Sequence, residues 1–182
     1  TSGKKKSKMP ADIKPMLATL VDKPFEEEGW LYEVKWDGFR AISYLSSGAV
    51  EIRSRNNKDF NKKFYPNVYA LKDWNVNAIV DGEIIVVNEQ GYPDFNALQE
   101  WRSEADGQLV YYLFDLLWLD GYDLTNVPLE ARKTILGLML PKDSIIRLSE
   151  NFTIDGNEFF DVAEGLGLEG ICAKKADGIY SP

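Results

Sequence analysis

Within the run Glu33-Val34-Lys35-Trp36-Asp37-Gly38-Phe39-Arg40, a lysine stands between two acids and shortly before an arginine, in a segment otherwise rich in strand-forming residues. A neutral lysine amine is a good nucleophile toward phosphorus, and it becomes available near neutral pH when neighbouring cations or desolvation depress its pKa. Cations placed to do that also hold phosphate, so Lys35 with Arg40 close by suits attack on a nucleoside triphosphate. Lys35 and Arg40 are an odd number of residues apart, and an ideal strand would send them to opposite faces. Gly38 is the expected bend that lets both converge. Taken alone, the string also fits an exposed turn with charged flanks.

Further clusters follow in order: Ser54-Arg55-Asn56, Val80-Asp81-Gly82-Glu83 opening an apolar run, Tyr112-Leu113-Phe114-Asp115-Leu116-Leu117, and Glu169-Gly170-Ile171-Cys172-Ala173-Lys174. With the lysine block at their head, these clusters resemble motifs I, Ia, III, IIIa and IV of the covalent nucleotidyltransferases, and within them the ATP-dependent DNA ligases. Pro15-Met16-Leu17-Ala18, Asp94-Phe95-Asn96-Ala97-Leu98-Gln99 and Leu129-Glu130-Ala131-Arg132 extend the likeness to the ligase region of ligase D-type enzymes of bacterial end joining, over residues 11 to 182. Asn56-Asn57 stands where that family often has glycine, a minor departure because asparagine tolerates a left-handed backbone.

The resemblance implies a reaction in which lysine attacks the α-phosphate of ATP and expels pyrophosphate, the adenylate passes to a DNA 5′-phosphate, and a 3′-hydroxyl displaces AMP. Lys35 would be the adenylated residue. Glu33 would recognise the adenine amino group, Arg40 and Arg55 would contact ribose or phosphate and later the DNA 5′-phosphate, and Glu83 would bind the ribose hydroxyl. Phe114 would stack on adenine, although the leucines around it also suit a plain core aromatic. Lys174 would lie by the α-phosphate, where like charge depresses the pKa of Lys35. Glu169 is the leading ligand for Mg²⁺ or Mn²⁺, with Glu83 and Asp37 as further candidates, and Lys175 is read as facing solvent or DNA.

The implied partners are ATP and nicked or broken duplex DNA, with fused polymerase or nuclease domains and a DNA-end-binding protein, for a monomer acting in the bacterial cytoplasm. RNA ligases and GTP-using capping enzymes share Lys-x-Asp-Gly and form one alternative. A non-catalytic module that contacts DNA or a repair protein is the other. The family continues past motif IV with a Lys-x-Lys block and an OB-type barrel, whereas this sequence stops at Tyr180-Ser181-Pro182. The expectation is therefore an adenylation domain, residues 11–182, truncated before motif V with the OB domain absent.

Patterning supplies the elements that must position these groups. Leu31 to Leu45 alternates like a strand, Ser46-Ser47-Gly48 turns the chain, and Ala49 to Ser54 returns as a second strand. Residues 78–88 and Leu109 to Leu119 read as strands, the latter buried on both faces. Asp94 can cap a short helix through Trp101, and Pro128 opens an amphipathic helix to about Leu140. A last helix through Phe159, Phe160, Val162 and Ala163 precedes a strand over Leu168 to Lys174. Helices interleaved with short strands predict an α+β fold of two packed, mainly antiparallel sheets with flanking helices. The resemblance adds an ATP-grasp-like arrangement with the nucleotide in the groove between the sheets.

Composition narrows the chemistry further. The chain has no histidine and a single cysteine, Cys172, which removes imidazole acid-base catalysis, the usual zinc sites and any internal disulfide. A metal would need oxygen ligands. Net charge is −8, but residues 1–65 carry 13 Lys and Arg against 9 Asp and Glu. That basic first third can meet phosphates while the acidic remainder confers solubility. Residues 1–10 begin with a polar, lysine-rich stretch and are expected to form a disordered tail or linker. No apolar run is long enough to span a bilayer.

Overall fold

In the computed structural model, which describes residues 7–17, 19–21, 28–142, 144–152 and 170–182, the segment expected to form one bent strand forms two. After β1 (Thr19–Val21), the strands β2 (Trp30–Lys35) and β3 (Phe39–Ser46) lie in different sheets. The cause is local. A Cβ on Gly38 would lie 2.1 Å from the Ile84 carbonyl oxygen and 2.8 Å from the Ile85 side chain, so only hydrogen fits where the chain crosses. Gly38 thus marks a change of sheet rather than a bend within one strand.

The larger sheet runs β4 (Ala49–Ser54), β3, β5 (Ala78–Val87), β6 (Gln108–Leu119) and β7 (Tyr122–Asp123), each antiparallel to its neighbour. β8 (Ile146–Leu148) joins the free side of β6 in parallel. The smaller sheet has the order β1, β10 (Gly170–Lys175), β2, β9 (Asn151–Phe152), all antiparallel. Ser47 at φ 50° and Gly48 at φ 82° close the β3–β4 hairpin, as the Ser-Ser-Gly sequence predicts.

Three α-helices are formed among the described residues. α1 (Tyr65–Trp74), which the sequence reading passed over, has proline in its first turn and ends at Asn75, whose left-handed backbone at φ 52° returns its N–H to the Leu71 carbonyl. In α2 (Phe95–Gln99) the Asp94 carboxylate accepts from the Ala97 N–H at 3.0 Å, the cap that the sequence predicts. The helix stops short of Trp101, but that residue is still buried and donates its indole N–H to the Gly107 carbonyl. α3 (Leu129–Met139) follows Pro128. The expected helix through Phe159 to Ala163 lies outside the described residues.

Alternation along the strands assigns the two faces of the larger sheet. Ala41, Leu45, Ile52, Val80, Ile84 and Tyr111 point into the main core with Phe64, Val68 and Leu71 of the α1 region and Leu136 of α3. Ile42, Tyr44, Ile79, Leu117 and Trp118 form a second cluster on which Met9, Ile13 and Met16 pack. Met9 falls within the segment read as a tail, so packed chain begins before residue 11. No helix among the described residues is long and apolar enough to cross a membrane.

Candidate functional site

Antiparallel pairing of β2 with β10 sets Glu33 opposite Cys172 and Lys35 opposite Gly170. Directly opposed residues share a face, and so do residues two apart, which puts Glu33, Lys35, Cys172 and Lys174 on one side of the smaller sheet. That side faces Arg40, Glu83 and Phe114 of the larger sheet across a cleft of about 640 Å³. Arg40 and Glu83 are themselves register partners in β3 and β5. Lys35 and Arg40 therefore converge because the chain changes sheets between them, and each stands on its own wall of the cleft.

Charge density in the cleft centres on Glu33, which is 2% exposed. Its carboxylate is held by two ammonium groups, Lys133 of α3 on one oxygen and Lys174 of β10 on the other. Burial alone would raise the Glu33 pKa, but Lys174 and Lys133 outweigh it and hold the carboxyl below its ordinary range. For Lys133 the balance runs the other way, with burial pulling the ammonium down against the pull of Glu33. Burial likewise raises the Cys172 thiol, and Lys174, Glu33, Lys35 and Glu83 all act on it electrostatically. Those four charges from both walls thus surround one point in the cleft.

Arg40 has a carboxylate of its own. Its Nε and Nη2 donate to the two Asp81 oxygens at 2.8 and 2.6 Å, and Nη2 also donates to the Met16 carbonyl at 2.7 Å. Burial opposes its charge, but Asp81 more than compensates and raises its pKa. The ring of Phe114 lies under two cations, with Lys174 Nζ at 4.1 Å and the Arg40 guanidinium carbon at 4.8 Å from its centroid. Phe114 lines the cleft and is only partly buried, so the cleft position, and not the core one, is what the fold gives it. Beneath it, Asp115 forms a buried bidentate pair with Arg132 at 2.7 and 3.0 Å.

Of the other sequence-predicted residues, Arg55 is exposed at the cleft margin and Lys175 is exposed near Trp30. Asp37 is half-buried and is not part of the cleft lining. Glu169 lies outside the described residues. Among the described residues no three carboxylate or thiol groups cluster as a ready metal cage. Oxygen donors in the cleft still suit Mg²⁺, which is commonly held by one or two carboxylates together with substrate phosphates. Sequence reasoning missed Lys133 and the clamp role of Asp81. A signal for the former exists: Leu129, Arg132, Lys133 and Leu136 are the buried residues of α3 at spacings 0, 3, 4 and 7, so two cations occupy an apolar stripe.

Known proteins resemble this chain in both sequence and fold. The chain is 36% identical over 179 residues to the multifunctional non-homologous end joining protein LigD of Pseudomonas aeruginosa, covering 96% of this chain and 21% of that protein. It is 32% identical over 170 residues to the SPbeta prophage-derived DNA ligase-like protein LigB of Bacillus subtilis, covering 92% of this chain and 62% of the relative. The chain thus spans about a fifth of the first relative and less than two thirds of the second. The crystal structure of the ligase domain from M. tuberculosis LigD superimposes with a TM-score of 0.79 at 32% identity, covering 92% of this chain and 56% of that one. A mycobacterial DNA ligase D complexed with ATP and MES gives 0.78 at 31% identity, with the same coverage. These matches favour neither an RNA ligase or capping enzyme nor a non-catalytic module. Residues 15–182 match the ATP dependent DNA ligase domain, and the chain belongs to that family.

Proposed function

We propose that Lys35 is the nucleophile of this ATP-dependent DNA ligase adenylation domain and that the cleft between the sheets holds ATP during the attack. The observation that carries this reading is the shared face of Glu33, Lys35 and Lys174 opposite Arg40, Glu83 and Phe114. The neutral Lys35 amine forms a bond to the α-phosphorus, the bond from that phosphorus to the bridging oxygen breaks, pyrophosphate leaves, and the nitrogen loses its remaining excess proton to solvent. Lys174, two residues along β10 from the partner of Glu33, supplies positive charge for the α-phosphate. Phe114 offers a face to adenine, Glu33 accepts from its amino group, and Glu83 accepts from the ribose hydroxyls. Mg²⁺, with Glu169 as its leading ligand and Glu83 of the cleft lining as a further donor, would neutralise phosphate charge.

The second half of the reading concerns DNA. Arg55 at the margin and Arg40 inside give a guanidinium path on which a 5′-phosphate can enter once pyrophosphate has left. The substrate is then a break in duplex DNA, and the relatives named for end joining support a repair role. Incubation with ATP labelled on the α- or the γ-phosphorus, followed by denaturing electrophoresis, tests the chemistry. Label from the α-position alone is expected to stay with the protein, whereas retention of γ-label would mean phosphorylation and contradict the proposal.

A further inference from the structure

Glu33 has two lysine partners, and they differ in what else they touch. Lys174 lies over the Phe114 ring, lines the cleft, and its side chain is 18% exposed. Lys133 comes from behind, on α3, is 4% exposed, and its Nζ also donates to the Ser149 carbonyl at 2.7 Å. Ser149 is itself fixed, its N–H donating to the Leu113 carbonyl at 2.7 Å and its hydroxyl accepting from the Trp36 indole at 3.0 Å. One lysine can swing into the cleft; the other is anchored to the chain that flanks Phe114 and to the residue that follows Lys35.

A nucleotide phosphate would draw Lys174 away from Glu33, because phosphate offers it more negative charge. Glu33 would then be a buried carboxylate with a single counter-ion, and a buried carboxylate with none takes up a proton instead. We propose that Lys133 is a specificity-determining positioning residue, the permanent counter-ion that keeps Glu33 ionised and fixed after Lys174 has passed to the nucleotide, so that the cleft accepts a purine 6-amino group and rejects a 6-oxo group. An ionised carboxylate only accepts hydrogen bonds, whereas a protonated carboxyl or an amide can donate to a 6-oxo group as well. A site built on a buried acceptor rejects a ligand that lacks the donor. This inference rests on the ATP reading of the cleft and extends it to a residue outside the cleft lining.

The test is the ratio of equilibrium affinities for ATP and inosine triphosphate, which differ at the 6-position, measured by titration calorimetry on the full chain. That ratio needs no covalent chemistry, so a failure of Lys35 to take up AMP would sink the nucleophile assignment and leave this ratio readable. Wild type and Lys133→Arg are expected to prefer ATP by about tenfold or more, and Lys133→Met by no more than about threefold. The double variant Glu33→Gln/Lys133→Met removes both buried charges and so guards against loss of folding in the single variant. It should melt above Lys133→Met and stay unselective, since an amide can turn either its oxygen or its nitrogen to the base. A folded Lys133→Met that keeps the wild-type ratio overturns the proposal, as does a selective double variant.

Discussion

Arg40 and Asp81 meet across adjacent strands as a diagonal pair, Asp81 being opposite Ile42 in the register, and they share two hydrogen bonds of 2.6 and 2.8 Å. The pair belongs to a closed ring of contacts. Arg40 also donates to the Met16 carbonyl, the Tyr180 hydroxyl donates to Asp81 at 2.8 Å, and the Met16 N–H donates to that hydroxyl at 2.9 Å. The segment before β1 and the segment after β10 are thereby tied to the middle of the larger sheet, beside the cleft.

Removing the anion of that ring should be costly. Asp81 is fully buried, and Asp81→Ala leaves a guanidinium and a hydroxyl without their partner. Urea unfolding should show a loss of about 3 to 5 kcal/mol, the usual cost of breaking a buried pair from one side. A loss below about 1 kcal/mol would mean that water replaces the carboxylate and that the ring does not organise the cleft.

Phe114→Ala separates a cleft role from a core role. If the ring carries adenine, ATP affinity should fall by about 1 to 3 kcal/mol, the range for stacking of a base on an aromatic side chain. Stability should fall by less than the roughly 3 to 5 kcal/mol of a buried phenylalanine, because Phe114 is only partly buried and lines the cleft. Calorimetric titration and thermal melting of the same variant give both numbers. A large melting loss with unchanged affinity would contradict an adenine-stacking role for Phe114.

Much of this site was legible in the sequence because the lysine, arginine, glutamate and aromatic blocks are local strings whose order survives any folding. The α2 cap and the β3–β4 hairpin were legible for the same reason, since Asp94 and Ser-Ser-Gly act on their own neighbours. What could not be read is set by long-range contact. Leu31 to Leu45 keeps its alternation on both sides of Gly38, and only the approach of the Ile84 carbonyl from β5 reveals that the chain changes sheets there. Lys133 pairs with a residue 100 positions away, and its place in the apolar stripe of α3 signals burial without naming that partner.

Gly38 gives a prediction of its own. Alanine there places a Cβ against the Ile84 carbonyl, so the crossing from β2 to β3 must shift. Overpacking of this kind costs about 1 to 3 kcal/mol, and here it also moves Lys35 relative to Arg40. Gly38→Ala should unfold at lower urea and take up AMP more slowly even where it is folded. Wild-type labelling by the folded variant would show that the sheet crossing does not set the geometry of attack.

Stability should also report the state of Glu33. Its pKa in the folded chain lies below its ordinary value of 4.5, so the stabilisation by its lysines is complete above that value. It is lost as pH falls through the lower, folded-state pKa. The gap in unfolding free energy between wild type and Glu33→Gln should therefore be widest near neutrality and close on acidification. A gap independent of pH would mean that Glu33 is not ionised in the folded protein.

Lys35 as the site of covalent AMP is the central claim, and peptide mass mapping after incubation with ATP and Mg²⁺ tests it most directly. The added mass of one AMP is expected on the peptide that contains Lys35 in the wild type, and on no peptide of Lys35→Ala. AMP found on another residue, or equal modification of the Lys35→Ala protein, would contradict the account.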